Sequence, residues 1–144
     1  MSETIVVGYD DSLGAKHALE FAAGLAKSSG ASLVVAHVLE WSPYSFLTPE
    51  EVEERHARRK DELKRAEDAL IAPAISALSA DGVNASSAMK FGHIAETLCD
   101  IAADNGAKHI VIGRTGHSSL SSRLFGSVAG SLAQAAPVPV TIVP

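Results

Sequence analysis

The chain has 144 residues, 47% hydrophobic and 20% charged, which is the size and composition of one globular domain over residues 1–144 and excludes a disordered chain. Its formal net charge of −5 disfavours nonspecific binding to nucleic acid or to an anionic membrane. A single cysteine, Cys99, excludes an internal disulfide, and the start "MSETIVVGYDDS" has neither the basic region nor the apolar stretch of a signal peptide, so a cytoplasmic protein is expected.

In chain order, short apolar runs alternate with helical periodicity. The first run, Thr4–Tyr9, leads into a helix whose inner stripe is Ala15, Ala18, Leu19, Ala22, Leu25 and Ala26, with Ser12 as the expected N-cap. The second run, Ser32–Val38, is followed by a loop, "EWSPYSFLTP", and a helical pattern over 50–80 with stripe Leu63, Ala66, Leu70, Ala74, Ala77 and Leu78. Pro73 predicts a kink or restart in that helix, since it lacks an N–H and clashes with the preceding turn. The third run, Asn84–Lys90, precedes a helix striped by Ile94, Leu98, Ile101 and Ala102. The fourth, Lys108–Ile112, precedes a glycine- and serine-rich loop and a helix with Val128, Leu132 and Ala135, stopped by Pro137. The last run is Val138–Val143. Gly30, Gly82 and Gly106 each fall just past a helix, where a positive φ is wanted. No apolar run approaches the roughly 20 residues of a membrane-spanning helix.

This is βαβαβαβαβ, five strands and four helices. Continuous apolar strands joined by helices predict an α/β fold, a parallel sheet covered on both faces. The segment "EEVEERHARRKDELKRAED" at 50–68 holds six of the twelve basic residues, matched by acids, and reads as a solvated helix face with i,i+4 pairs.

Ligands of such sheets bind at the carboxyl ends of strands where the strand order reverses. Two loops qualify. After strand one, "GYDDS" places Asp10 and Asp11 at the strand end, where Asp10 serves either a helix cap or a ligand. After strand four, Gly113 and Gly116 precede Gly126-Ser127 by a fixed interval. Gly113, Gly116 and Gly126 allow backbone to approach a ligand, and a Cβ at any of them would obstruct it or force an unfavourable φ. Gly126, Ser127 and Val128 open a helix whose unpaired N–H groups and positive dipole end attract phosphate. Ser127 has two readings, plain N-cap and phosphate ligand. Arg114 and Arg123 are expected to face solvent, and His117 is the one histidine within the loop. The six histidines are scattered without metal-ligand spacing.

The pattern Gly-x2-Gly-x9-Gly-Ser, with the "VGYDDS" start and the "PVPVTIVP" end, resembles the universal stress protein family in its ATP-binding branch. The resemblance spans nearly the whole chain. It implies a three-layer sandwich of the adenine nucleotide alpha-hydrolase-like kind, strand order 3-2-1-4-5, with ATP, accompanied by magnesium or manganese in some cases, between strands one and four. By position, Gly8, Asp10 and Val38 are implied around adenine and ribose, and Gly113, Gly116, Gly126, Ser127 and Val128 around ribose and phosphates. Ser119 stands where many relatives have glycine, and Asp11 replaces the glycine of a "DGS" start. The family also implies homodimers, and the order makes Val138–Val143 an apolar edge suited to antiparallel pairing with a second copy, with Pro139 tolerated on its unpaired side.

Three functional classes follow. The first is a nucleotide-responsive regulatory protein acting in stress response through a protein partner that the sequence does not name. The second is a slow ATPase or autophosphorylating enzyme, without a Walker A motif or an evident base. The third is an RNA-binding KH module, because Gly113-Arg-Thr-Gly116 matches GxxG; the strand before it and the negative charge oppose that reading. A dinucleotide oxidoreductase fits poorly, since "GYDDSLGA" is not GxGxxG. The first class is the expectation.

Overall fold

The computed structural model describes residues 3–40, 48–116 and 126–144. Its elements are β1 (Thr4–Gly8), α1 (Leu13–Ser29), β2 (Ser32–Glu40), α2 (Pro49–Ala66), α3 (Ala72–Ala80), β3 (Ala85–Gly92), α4 (Ile94–Asp104), β4 (His109–Gly113), α5 (Ser127–Ala135) and β5 (Val140–Val143). A π-helical turn, Glu67–Ile71, joins α2 to α3, so both belong to the second of the four expected helices. The five strands are parallel, in the order β3-β2-β1-β4-β5.

Strand alternation divides the core into two layers. Ile5, Val7, Leu33, Val35 and Val111 pack with α1 and with Ile71 and Leu78 of the long helical segment. Val6, Val34, Ala36, Ile110 and Ile112 face the other way, against Leu98 and Ile101 of α4 and Leu132 of α5. Successive side chains of a strand point to opposite faces, so a run such as Val6-Val7 feeds both layers. The inner face of α1 is largely alanine: Ala15, Ala18, Ala22, Ala23 and Ala26 are buried. Small side chains let this helix lie close to the sheet.

The ends of the elements have local causes. The Ser12 hydroxyl accepts from the Ala15 N–H at 3.2 Å and starts α1. Gly30, Gly82 and Gly106 have φ of 75°, 82° and 61°, the left-handed conformation the sequence predicts after each helix. Thr48 caps α2 through the Glu51 N–H, with Pro49 in its first turn.

Three expectations are corrected. The helix does restart at Pro73, α3 beginning at Ala72 after a π turn in which the Ala72 N–H reaches back to the Glu67 carbonyl, but the expected inner stripe does not run through it unchanged. That turn inserts one residue and shifts the helical phase. Ile71, Ala74 and Leu78 are therefore buried, whereas Ala77 of the uninterrupted stripe is exposed. Ala135, placed on the inner stripe of the last helix, is exposed, and Ala129 takes its place beside Leu132. Strand β2 runs to Glu40, two residues past its expected end at Val38, because it pairs with β3 as far as Glu40 opposite Gly92.

α2 buries no residue and carries the exposed i,i+4 pair Glu54–Arg58 at 3.6 Å, as its charge pattern predicts. Among the described residues no helix is long and apolar enough to cross a membrane.

Candidate nucleotide site

Strand β1 hands the chain to β2 on one side of the sheet, whereas β4 neighbours β5 on the other. The carboxyl ends of β1 and β4 therefore diverge, and a cavity of about 260 Å³ opens there. Gly8, Asp10, Val38, Gly113, Gly116, Gly126, Ser127 and Val128 all line it, so every residue singled out for the site by the sequence comes to one place. Ser119, Arg123 and His117 lie outside the described residues.

The floor is apolar. Gly8 ends β1 beneath the cavity, where a Cβ would stand 3.1 Å from Ile112 Cγ2 and 3.2 Å from Leu98 Cδ1. Its role is packing between β4 and α4 as much as access. Ala36 and Val38 continue this surface from β2.

The wall after β1 is built around Asp10. Its Oδ1 accepts from the Ser12 N–H at 2.8 Å, which fixes the turn into α1 and leaves Oδ2 uncommitted by that bond. Oδ2 lies 4.0 Å from where a Cβ on Gly116 would be. Asp10 is thus both a turn-forming residue and part of the cavity wall. Beside it, Tyr9 donates its N–H to the Ala36 carbonyl at 2.8 Å, and His37 Nδ1 lies 2.8 Å from the Tyr9 carbonyl. A carbonyl only accepts, so Nδ1 carries the proton of that ring and donates. Burial, followed by the carboxylates of Asp10 and Asp11, holds the Tyr9 phenol above its ordinary pKa.

The opposite wall comes from the loop after β4 and from α5. The Gly126 N–H donates to the Arg114 carbonyl at 2.9 Å, pulling the entry to α5 against the end of β4. A Cβ on Gly126 would meet that same carbonyl at 3.3 Å. The first intrahelical bond of α5 runs from the Gly130 N–H to the Gly126 carbonyl at 3.0 Å. The N–H groups of Ser127, Val128 and Ala129 therefore have no intrahelical acceptor, and all three residues line the cavity. With the positive end of the helix dipole they form an anion-attracting edge.

Two sequence readings change here. The N-cap of α5 is Gly126, and no side chain caps it; Ser127 is the first helical residue, and the plain N-cap reading of Ser127 does not hold. None of Gly113, Gly116 and Gly126 has a positive φ, so what a side chain meets, rather than dihedral strain, decides what each tolerates. Sequence reasoning missed Gly14, Tyr9, His37 and Glu40. Gly14 within "SLGA" carried a signal, being a glycine in the first turn of a helix; the others became visible only when β2 came to lie beside β1.

Among the described residues no three His, Cys, Asp or Glu side chains come together to hold a metal ion. Cys99, half-buried on α4, has its thiol pKa raised by burial and then by Asp100 and Glu96, the setting of a packing residue.

A family model described as the universal stress protein family matches residues 1–144. A universal stress protein of Thermus aquaticus is 33% identical over 144 residues, covering 99% of this chain and 99% of that one. The structure of universal stress protein UspA from Lactobacillus plantarum is similar in fold, with a TM-score of 0.83 at 23% identity, over 99% of this chain and 97% of that chain. A universal stress protein solved in complex with cAMP has a TM-score of 0.64 at 25% identity, over 99% of this chain and 96% of that chain.

Proposed function

Since the chain belongs to the universal stress protein family, we propose that it binds ATP in the cavity between β1 and β4 and acts as a nucleotide-responsive regulatory protein in stress response. The observation that carries this reading is the convergence of an apolar slot, a carboxylate and a helix N-terminus on one cavity. The cAMP complex of a similar protein supports an adenine nucleotide as the ligand.

In this reading the base lies over Gly8, Ala36 and Val38, and Asp10 Oδ2 accepts from the nucleoside. The phosphates run along Gly113 and Gly116 to the open N–H groups of Ser127 and Val128. Magnesium or manganese would accompany the phosphates, held by phosphate oxygens and water, as magnesium with its largely retained water shell accepts. Binding alters the spacing of the two walls, and the altered surface is what a protein partner reads. The protein acts as a homodimer through the edge strand β5.

Mass spectrometry of the protein purified under native conditions tests the ligand directly. A retained adenine nucleotide is expected, and a protein that neither retains nor takes up ATP defeats the proposal. The alternative, a slow ATPase or autophosphorylating enzyme, is separated by overnight incubation with radiolabelled ATP, where the regulatory reading expects neither released phosphate nor labelled protein.

A further inference from the structure

Two large apolar side chains of α1 stand in solvent: Leu13 is 68% exposed and Phe21 44%. With His17 they form a row at i, i+4 and i+8 along one edge of the helix. That edge faces β5, because His17 Nδ1 lies 3.2 Å from the carbonyl of Pro144, just past the strand. α1 runs opposite to the parallel strands it connects, and one helical turn matches about two strand residues in length. Phe21, one turn on from His17, is therefore level with residues 141–143 of β5.

The charged side chains of α1 lie elsewhere. At about 100° per residue, Lys16, Glu20 and Lys27 share the edge turned away from β5, where Lys27 pairs with Asp81 at the end of α3. Gly24 sits in the next turn after Phe21 and is exposed. Among the described residues nothing lies within 4 Å of where its Cβ would be. A glycine in mid-helix weakens the helix relative to alanine, and no contact among the described residues calls for one here. Bare backbone beside an exposed aromatic ring, away from the charges, suits a surface that another molecule approaches closely.

The neighbouring strand identifies the occupant. All four residues of β5 are only half-buried. Val140 and Ile142 pack with the α4–α5 layer and Val143 with the α1 layer, so both faces of the strand carry uncovered apolar surface. Pairing with a second copy covers about 13 Å of edge, one strand thick. That is a small part of the roughly 800 Å² each partner contributes to a standard interface. A dimer on β5 therefore takes in the surfaces that flank the strand. A twofold axis presents the same flanking surface from each copy, so the two α1 edges approach the β5–β5 seam from either side.

We propose that the β5-facing edge of α1, centred on Phe21 and Gly24, packs against a second copy of this chain and closes that seam on one face of the sheet. The inference rests on the homodimer reading above and assigns it a helical contact beside the strand. Phe21 is the anchor, a large aromatic side chain that leaves water on assembly.

Analytical ultracentrifugation of the full chain over a dilution series tests it. The unaltered protein is expected to be a dimer that dissociates on dilution. Phe21→Ala should raise the dissociation constant at least about tenfold, while Phe21→Leu, which keeps an apolar side chain, retains most of the affinity. Circular dichroism checks folding, and the exposure of Phe21 means that both variants should fold. Phe21→Trp reads the position directly. Its emission should be blue-shifted in the dimer and move to the red on dissociation, beyond any change in the unaltered protein with its own Trp41. A folded Phe21→Ala protein that dimerises as tightly as the parent overturns the contact and leaves pairing through β5 standing. So does a Phe21→Trp emission that stays fixed across a dissociation seen by sedimentation. If the unaltered protein is monomeric at every concentration, the homodimer reading itself fails, and this contact with it.

Discussion

Gly113 at the end of β4 and Gly14 in the first turn of α1 lie backbone against backbone. A Cβ on Gly113 would stand 2.6 Å from the Gly14 carbonyl carbon and 2.7 Å from its oxygen, while one on Gly14 would collide with the Thr115 carbonyl oxygen. The missing side chain at Gly113 thus brings α1 against the loop after β4. Gly116 differs: among the described residues, only the Asp10 carboxylate comes within 4 Å of a Cβ there. Two glycines three residues apart, equivalent by motif, have different physical duties.

Gly113→Ala should therefore act on stability. Overpacking against fixed backbone costs about 1–3 kcal/mol, so the urea midpoint falls with the slope unchanged. Gly14→Ala should behave alike, because it closes the same contact from the other side. A Gly113→Ala protein as stable as the parent would mean that the two backbones separate freely.

Gly116→Val should act on binding instead. The added Cβ enters the cavity near Asp10 with no backbone of the described residues within 4 Å, so the fold should survive while ATP affinity falls at least about tenfold, near 1.4 kcal/mol. Adding Gly126→Val deepens the loss, at some cost in stability through its approach to the Arg114 carbonyl. Unchanged affinity by isothermal titration in folded Gly116→Val would remove the phosphate loop from the site.

Asp10 holds Ser12 with one oxygen and faces the cavity with the other. Asp10→Ala should lower discrimination for the nucleoside while sparing the phosphate contacts, so ATP and inorganic triphosphate approach each other in affinity. It should also destabilise the start of α1 by about 1 kcal/mol through the lost hydrogen bond. Comparing the two ligands on Asp10→Ala and on Asp10→Asn separates these effects, since an amide oxygen can still accept from Ser12.

The Pro139 and Val143 carbonyls accept from the Ile110 and Arg114 N–H groups of β4. In a parallel strand the intervening residues then turn their backbone groups away, so Val140 and Ile142 present the free edge. Pro139 itself precedes β5, and its ring faces no ladder. If dimers form through this edge, Val140→Pro removes an outward donor, keeps the inward ladder and gives a monomer by light scattering. A Val140→Pro protein that remains dimeric places the interface elsewhere.

The Tyr9 phenol is held above the ordinary value near 10. A proton bound more tightly in the folded state gives stability that is complete below the unfolded pKa and lost as pH rises through the folded one. Stability should therefore decline above about pH 10, and Tyr9→Phe should lessen that decline. Urea unfolding across pH 8 to 11 checks the difference between the two proteins; parallel declines would show that Tyr9 does not contribute.

The sequence by itself determined the sheet and its coverings. Apolar runs of strand length, alanine stripes at helical spacing and glycines just past the helices are local signals, because hydrogen bonding and φ/ψ preference act over a few residues. It also marked out Gly113, Gly116 and Gly126-Ser127 as the loop and helix start after strand four, since Gly126-Ser127 opens a helix wherever that helix goes. What it left undecided depends on contacts between distant segments. The π turn ahead of Pro73 rotated the stripe and exchanged Ala77 for Ile71, a change that only packing against β1 and β2 makes visible. Gly113 owes its lack of a side chain to Gly14, 99 positions earlier in the chain. Glu40 reads as a loop acid until the pairing of β2 with β3 carries the strand to its carboxylate and sets Gly92 opposite. In each case the deciding neighbour is close in space and far in sequence, and the tertiary structure alone brings it near.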